Sequence, residues 1–273
     1  MKTLSTFIAG ATLALGASQA QVLLNDSFSY PDGALVGAAG STWVNHSGTA
    51  GTLLVTGGKV FIHQNDGTSG REDASAAFQG ALTFAPDGNA NNNDNFLYSS
   101  YSVNFSALPT DTLGSYFSHF KSTTANQFYG RVGANLTNAA AGTFRLAIAN
   151  GNWSDTAATQ YPQNLSPSTT YTIVTRINVD TGASTLWVNP ASESSTSVTA
   201  TDTFTFQGAI ASYALRQGTT GTTPISAPGD LVVDNLRVGR SFSDVVVIPE
   251  PGTVALMSLG AFGLLLRRSN KAK

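Results

Sequence analysis

The chain has 273 residues, of which only 11% are charged, with a formal net charge of −2 and no cysteine. The lack of cysteine excludes a disulfide framework, so stability must come from a core. So little positive charge argues against nucleic acid as a partner, because that affinity comes largely from phosphate neutralisation, and the Ser, Thr, Asn, Gly and Ala content suits an exported β protein with many turns.

Met1-Lys2 is a small positive start, Leu4 to Ala17 is apolar, and Ser18-Gln19-Ala20 places small residues where a signal peptidase reads them. Residues 1–20 are therefore expected to be a signal peptide cut after Ala20. Residues 21–245 are expected to form one β-sandwich domain, and 246–273 a separate tail. Removing the two ends takes away Lys2, Arg267, Arg268, Lys271, Lys273 and Glu250, which leaves nine basic residues against fifteen acidic ones, a net charge near −6. On that count acidic polymers are also disfavoured as partners.

Strand patterns recur through the middle. Val60 to His63 follows the turn Thr56-Gly57-Gly58, and Phe96 to Phe105 is rich in Tyr, Ser and Val. Leu113 to Phe120, Gln127 to Leu136 and Thr143 to Ala149 read as further strands. The clearest alternation is Tyr171, Ile173, Thr175, Ile177 and Val179, which ends at Asp180-Thr181-Gly182 and returns through Thr185 to Val188 as a hairpin. Ala209 to Arg216 and Leu231 to Val238 complete the set, the last with a change of register that suggests a bulge. No stretch sustains a helical period. The expected class is all-β, a two-sheet antiparallel sandwich of jelly-roll type.

Several segments carry candidate chemistry. Asp87, Asn89, Asn91 and Asn93 place oxygen ligands at every second residue, a spacing that could wrap Ca²⁺. The loop lacks Gly at its sixth position and has Tyr98 at its twelfth, so a solvated loop is the plainer reading; no other cofactor is indicated. Asn152, Trp153 and Asp155 lie in a polar loop suited to stacking on a sugar ring, whereas Trp43 and Trp187 read as packing residues. Glu72 and Asp73 read as a charged turn and would point to opposite faces of a strand. His46, His63 and His119 match no metal spacing, and no nucleophile elbow or phosphate loop occurs. The chain is therefore expected not to be an enzyme. The alternatives are a polysaccharide hydrolase or lyase with a site assembled from distant residues, and a calcium-dependent adhesion module.

The tail begins with Ile248-Pro249-Glu250-Pro251, continues through an uncharged run from Val254 to Leu266, and ends with Arg267-Arg268 and two lysines. Proline holds the motif extended, and the basic end favours the cytoplasmic side of a membrane. This tail resembles the PEP-CTERM sorting signal of Gram-negative bacteria. The resemblance implies transient insertion of a hydrophobic helix in the inner membrane, cutting by an exosortase at the motif carrying Pro249, Glu250 and Pro251, and delivery to the cell surface or an extracellular matrix of exopolysaccharide or biofilm. Asp26 to Gly33, Leu186 to Pro190 and Leu231 to Gly239 resemble segments of bacterial concanavalin-like (laminin-G-like) sandwiches. That likeness implies the same fold on an exported protein, and the sorting signal implies extracellular polysaccharide as its partner.

Overall fold

The computed structural model describes residues 21–63, 71–88, 95–110, 114–154, 158–217 and 227–246. In chain order the strands are β1 (Val22–Asp26), β2 (Gly33–Ala34), β3 (Trp43–Gly48), β4 (Leu54–Thr56), β5 (Lys59–Ile62) and β6 (Glu72–Ala77). Then come β7 (Phe96–Phe105), β8 (Ser115–Ser122), β9 (Phe128–Asn135), β10 (Arg145–Ala149) and β11 (Thr159–Gln160). The last are β12 (Thr170–Asn178), β13 (Ser184–Val188), β14 (Ser197–Thr199), β15 (Ile210–Arg216) and β16 (Leu231–Gly239), followed by the one-turn helix α1 (Phe242–Val245).

They form two antiparallel sheets. A nine-stranded sheet runs β14-β13-β12-β7-β16-β5-β4-β2, with β1 also on β16, and a seven-stranded sheet runs β11-β10-β9-β8-β15-β6-β3. The expected sandwich is present. Alternation dictates which side chains meet between the sheets: in β12, Tyr171, Ile173 and Ile177 are buried in the core, and Thr172 and Arg176 point outward. The β12–β13 turn is closed by the Asn178 side chain, which accepts from the amides of Asp180 and Thr181 at 2.9 and 3.1 Å. Gly182 completes it with φ +73°, a conformation that is open to glycine at no steric cost. The register change anticipated in the last strand lies between Asp234 and Arg237. It allows β16 to pair with β5 through Leu231–Val233 and with β1 through Leu236–Gly239, on one strand edge.

The core is aromatic and contains satisfied hydroxyls. Tyr101 bonds Ser118 at 2.6 Å, Ser99 bonds Thr175 at 2.6 Å, and Ser99 donates to Tyr213 at 3.2 Å. Two buried carboxylates tie loops to the sheets. Asp26 accepts from the Phe28 amide, the Tyr30 hydroxyl and the Trp43 indole at 2.7, 2.8 and 2.7 Å. Glu72 accepts from the amides of Gly51, Thr52 and Leu53 at 2.8, 3.0 and 3.0 Å. The Glu72-Asp73 pair is thus part of β6, not the charged turn expected from its sequence. The opposite-face reading holds: Glu72 is fully buried, and Asp73 faces outward toward Arg216.

Candidate functional site: the outer face of the seven-stranded sheet

Register sets what this face presents. The rows Val44–Ser75–Ala214–His119 and Asp73–Arg216 run across β3, β6, β15 and β8. Ser75 and Ala214 are small, which leaves His46 room to reach across to His119, with ring centroids 6.0 Å apart. Three register irregularities aim the side chains: one between Asn45 and Ser47 beside His46, and two in β8 around Ser118. Through these, Phe117 and Ser118 face the core while Tyr116 and His119 face out, which is the re-aiming expected of bulges.

Tyr116 is the centre of the cluster. The Arg216 guanidinium lies 4.2 Å from its ring centroid and the Arg131 guanidinium 4.8 Å. Arg216 also donates to Ser115 Oγ at 2.7 Å and to the Tyr116 carbonyl at 3.2 Å, and its Nε is 3.7 Å from Asp73. Arg131 donates through Nε to the Phe128 carbonyl at 3.2 Å. His119 packs under Phe128 with centroids 4.5 Å apart, and 5.5 Å from Tyr116. Tyr116, His119 and Arg216 form a buried floor, and His46, Asp73, Lys121, Phe128, Arg131 and Trp153 form a half-buried rim.

Electrostatics follow from this burial. Loss of water, together with the cations of Lys121 and its neighbours, lowers His46 from 6.5 to about 4 and His119 well below its ordinary value. Both imidazoles are neutral near pH 7, and none of their four nitrogens has a hydrogen-bond partner among the described residues. Burial raises Asp73 to about 6, against the pull of Arg216 and Arg71. Buried polar atoms without partners cost stability, so a pair of them on one outer face points to function.

The structure brings together only part of what the sequence suggested. Trp153 belongs to this face but is not in an open loop: it packs on Ala147, Ala149 and Ala158, 6.0 Å from Tyr116. Asn152 is exposed and donates its amide to Asp202 at 2.9 Å; Asp155 lies outside the described residues. The calcium reading rests mostly on residues outside those described. Asn89, Asn91 and Asn93 lie outside the described residues, the Asp87 amide donates to Asp180 at 2.8 Å, and no three His, Asp or Glu among the described residues could hold a metal ion. Trp43 and Trp187 are buried, as packing residues should be. His46, Tyr116, His119, Arg131 and Arg216 were missed as a group. Their one sequence signal was the outward phase of β8 and β9, which the bulges obscured.

Comparison with known proteins adds two findings. Residues 247–269 match the PEP-CTERM protein-sorting motif, which spans Pro249, Glu250, Pro251, Arg267 and Arg268 and indicates an exported protein sorted by exosortase with a transient membrane anchor. That segment lies outside the described residues, among which no helix is long and apolar enough to cross a membrane. No curated protein matches the chain. Among solved structures, a mutant alginate lyase in complex with alginate trisaccharide is similar at TM-score 0.50 and 17% identity, over 81% of this chain and 99% of that one. The marine alginate lyase AlyA1 of Zobellia galactanivorans gives TM-score 0.44 and 14% identity over 82% and 96%. The CBM2 module of the evolved Dit protein of Lactobacillus casei BL23 phage J-1 gives 0.45 and 12% over 80% and 95%. The expectation that the chain is not an enzyme is overturned: a polysaccharide lyase shares its fold over four-fifths of its length. The sequence argument failed because it sought a compact carboxylate motif, whereas the charged and titratable groups here come from β3, β6, β8, β9 and β15.

Proposed function

We propose that the outer face of the seven-stranded sheet binds an acidic polysaccharide and cleaves it by β-elimination. The observation that carries this reading is the convergence of the Arg131 and Arg216 guanidiniums on Tyr116, beside two neutral and unpartnered imidazoles. A 4-linked uronate offers the complementary groups: a carboxylate for a guanidinium, and a C5 hydrogen made acidic by that carboxylate. A base removes the C5 proton, the electron pair forms the C4–C5 double bond, the C4–O bond breaks, and the departing oxygen takes a proton. Arg131 at the rim, backed by Arg216, suits stabilising the charge that develops on the carboxylate. Tyr116 and His46 suit the proton transfers, with His119 holding the Tyr116 ring from below. Trp153 supplies an apolar wall for a sugar ring.

The lyase fold and the alginate in its complex support this reading. So does local charge: Arg71, Lys121, Arg131, Arg145 and Arg216 are five of the nine basic residues between the two ends, and all belong to strands β6, β8, β9, β10 and β15 or border them. The net charge near −6 therefore gives no guide to this face. The test is incubation of the mature protein with alginate, polyglucuronate and neutral glucans. Unsaturated uronate ends absorbing in the ultraviolet should appear with an acidic polymer alone. Retention without chain shortening would leave a binding module in place of an enzyme.

The same proposal covers the route outward. Residues 1–20 are a signal peptide, 21–245 the working domain and 246–273 the sorting tail, with the product delivered to the surface or its polysaccharide matrix. Replacing Pro249-Glu250-Pro251 by alanines should leave the uncut protein in the inner membrane; unaltered maturation would refute exosortase sorting.

A further inference from the structure

The segment after β14 crosses from the nine-stranded sheet to β15 of the seven-stranded one, and carries Asp202, Phe204 and Phe206 over the end of the sandwich. Phe206 stacks on Tyr129 with centroids 4.4 Å apart and 12° between planes, and Phe204 lies 5.0 Å from the same ring. At the turn after β10, the Asp202 carboxylate accepts from three consecutive amides, those of Asn150 at 2.6 Å, Gly151 at 3.0 Å and Asn152 at 2.9 Å. The Asn150 side chain locks in turn, donating to the Asp202 carbonyl at 2.6 Å and accepting from the Ser184 amide at 2.8 Å.

Three successive amides around one carboxylate form a concave nest, and each bond is strengthened by the charge. Packing reinforces it. A Cβ on Gly151 would sit 2.8 Å from Phe204 Cγ, so the loop lies flat on that ring. One residue past the nest comes Trp153, whose indole occupies the space that a side chain on Gly133 would need, 2.2 Å from the position of its Cβ. The indole is held there by apolar contact alone, against Ala147, Ala149 and Ala158, and its Nε1 has no partner among the described residues.

We infer that Asp202 is a positioning residue for the site: by gathering the three amides it fixes the loop that seats Trp153 over Gly133, and so sets the sugar-stacking wall beside Tyr116. This rests on the reading of the face as a polysaccharide site. It goes beyond it by placing control of that wall on a crossover segment outside the sheet. The Asp202 charge also reaches Arg131, whose guanidinium is weakened mainly by burial and supported by Tyr116 and Asp202.

The test uses the mature protein with Asp202→Asn and Asp202→Ala, compared with Trp153→Phe. Iodide quenching of the emission that Trp153→Phe removes should rise in both Asp202 variants. KM on the acidic polymer should rise about tenfold with kcat changed less than about threefold, the pattern of lost binding that is not specific to the transition state. Asp202→Glu should restore part of both. Unchanged quenching together with unchanged KM would overturn the inference, and so would a fall in kcat alone. If the wild type turns over no acidic polymer, the lyase reading fails, while quenching still decides whether Asp202 holds Trp153. Circular dichroism of Asp202→Asn keeps loss of fold from being mistaken for loss of the wall.

Discussion

The two outer faces of the sandwich are built from the same residue types and treat them in opposite ways. On the nine-stranded sheet Arg176 lies over Phe96 and Trp187, at 4.8 and 5.6 Å, and is paired with Glu193 at 3.1 Å. There the Tyr98 hydroxyl donates to Glu193 at 2.6 Å and the Trp187 indole donates to the Glu193 carbonyl at 3.1 Å. Helix α1 closes over them, with Phe242 edge-on to Tyr98 and Trp187 at 6.5 and 6.1 Å. On the seven-stranded sheet the corresponding set is Arg216, Arg131, Tyr116 and Trp153, joined by His46 and His119. In that set the indole and both imidazoles have no hydrogen-bond partner among the described residues. An aromatic and cationic cluster is therefore no sign of function by itself. What separates the faces is how much the fold leaves without a partner: in the first cluster Arg176 lacks one at Nε alone among the described residues, and in the second the indole and both imidazoles lack one altogether.

The largest contrast should come from His119→Leu. An unpartnered buried imidazole costs stability, by about 1–3 kcal/mol for such a group, so an apolar replacement of similar size should leave the melting temperature unchanged or raised. Turnover of the acidic polymer should fall by about 100-fold or more, the scale of losing a proton-transfer arrangement. A large drop in stability would make His119 a structural residue. Next, Phe242→Ala should show the reverse: a loss of about 3 kcal/mol in chemical denaturation, as for a buried aromatic, with kcat/KM unchanged. Lost activity there would couple the faces and break the comparison. A smaller effect is expected of Tyr98→Phe, about 1 kcal/mol for one hydrogen bond, again without change in turnover.

The pH dependence sharpens the contrast further. The folded His46 titrates near 4 and the unfolded one near 6.5, so as pH falls through that window the unfolded chain takes up the proton first and stability is lost. Asp73, raised to about 6 by burial, acts in the other direction: between about 4 and 6 only the unfolded carboxyl ionises, so rising pH lowers stability there. In His46→Phe the first contribution disappears. The stability gap between that variant and the wild type should therefore widen in favour of the variant as pH drops from 6.5 to 4. A gap that is flat with pH would mean that the imidazole is not held neutral.

How much of this was legible in the sequence depends on range. The alternation in β12, the hairpin at Asp180-Thr181-Gly182, the bulge in β16 and the sorting tail are local patterns, and they read directly. The site is not local. His46 and His119 are brought together by the pairing order β3-β6-β15-β8, which no spacing along the chain reveals. Bulges beside His46 and in β8 then shift the phase on which an alternation argument depends. Net charge is no guide to one face for the same reason: it sums over all surfaces, and five of the nine basic residues gather about one sheet. Trp153 was singled out as an aromatic of interest in an open loop, but its packed setting was not legible, because the absent side chain of Gly133 is what admits it.

The most direct test of a site on the seven-stranded sheet is a crystal structure of His119→Leu with a bound uronate oligosaccharide. The sugar should lie across the outer face of that sheet, with one ring against Trp153 and a carboxylate within hydrogen-bond reach of Arg131, above Tyr116. A sugar bound on the nine-stranded face, or at the sandwich ends away from Tyr116, would contradict the account.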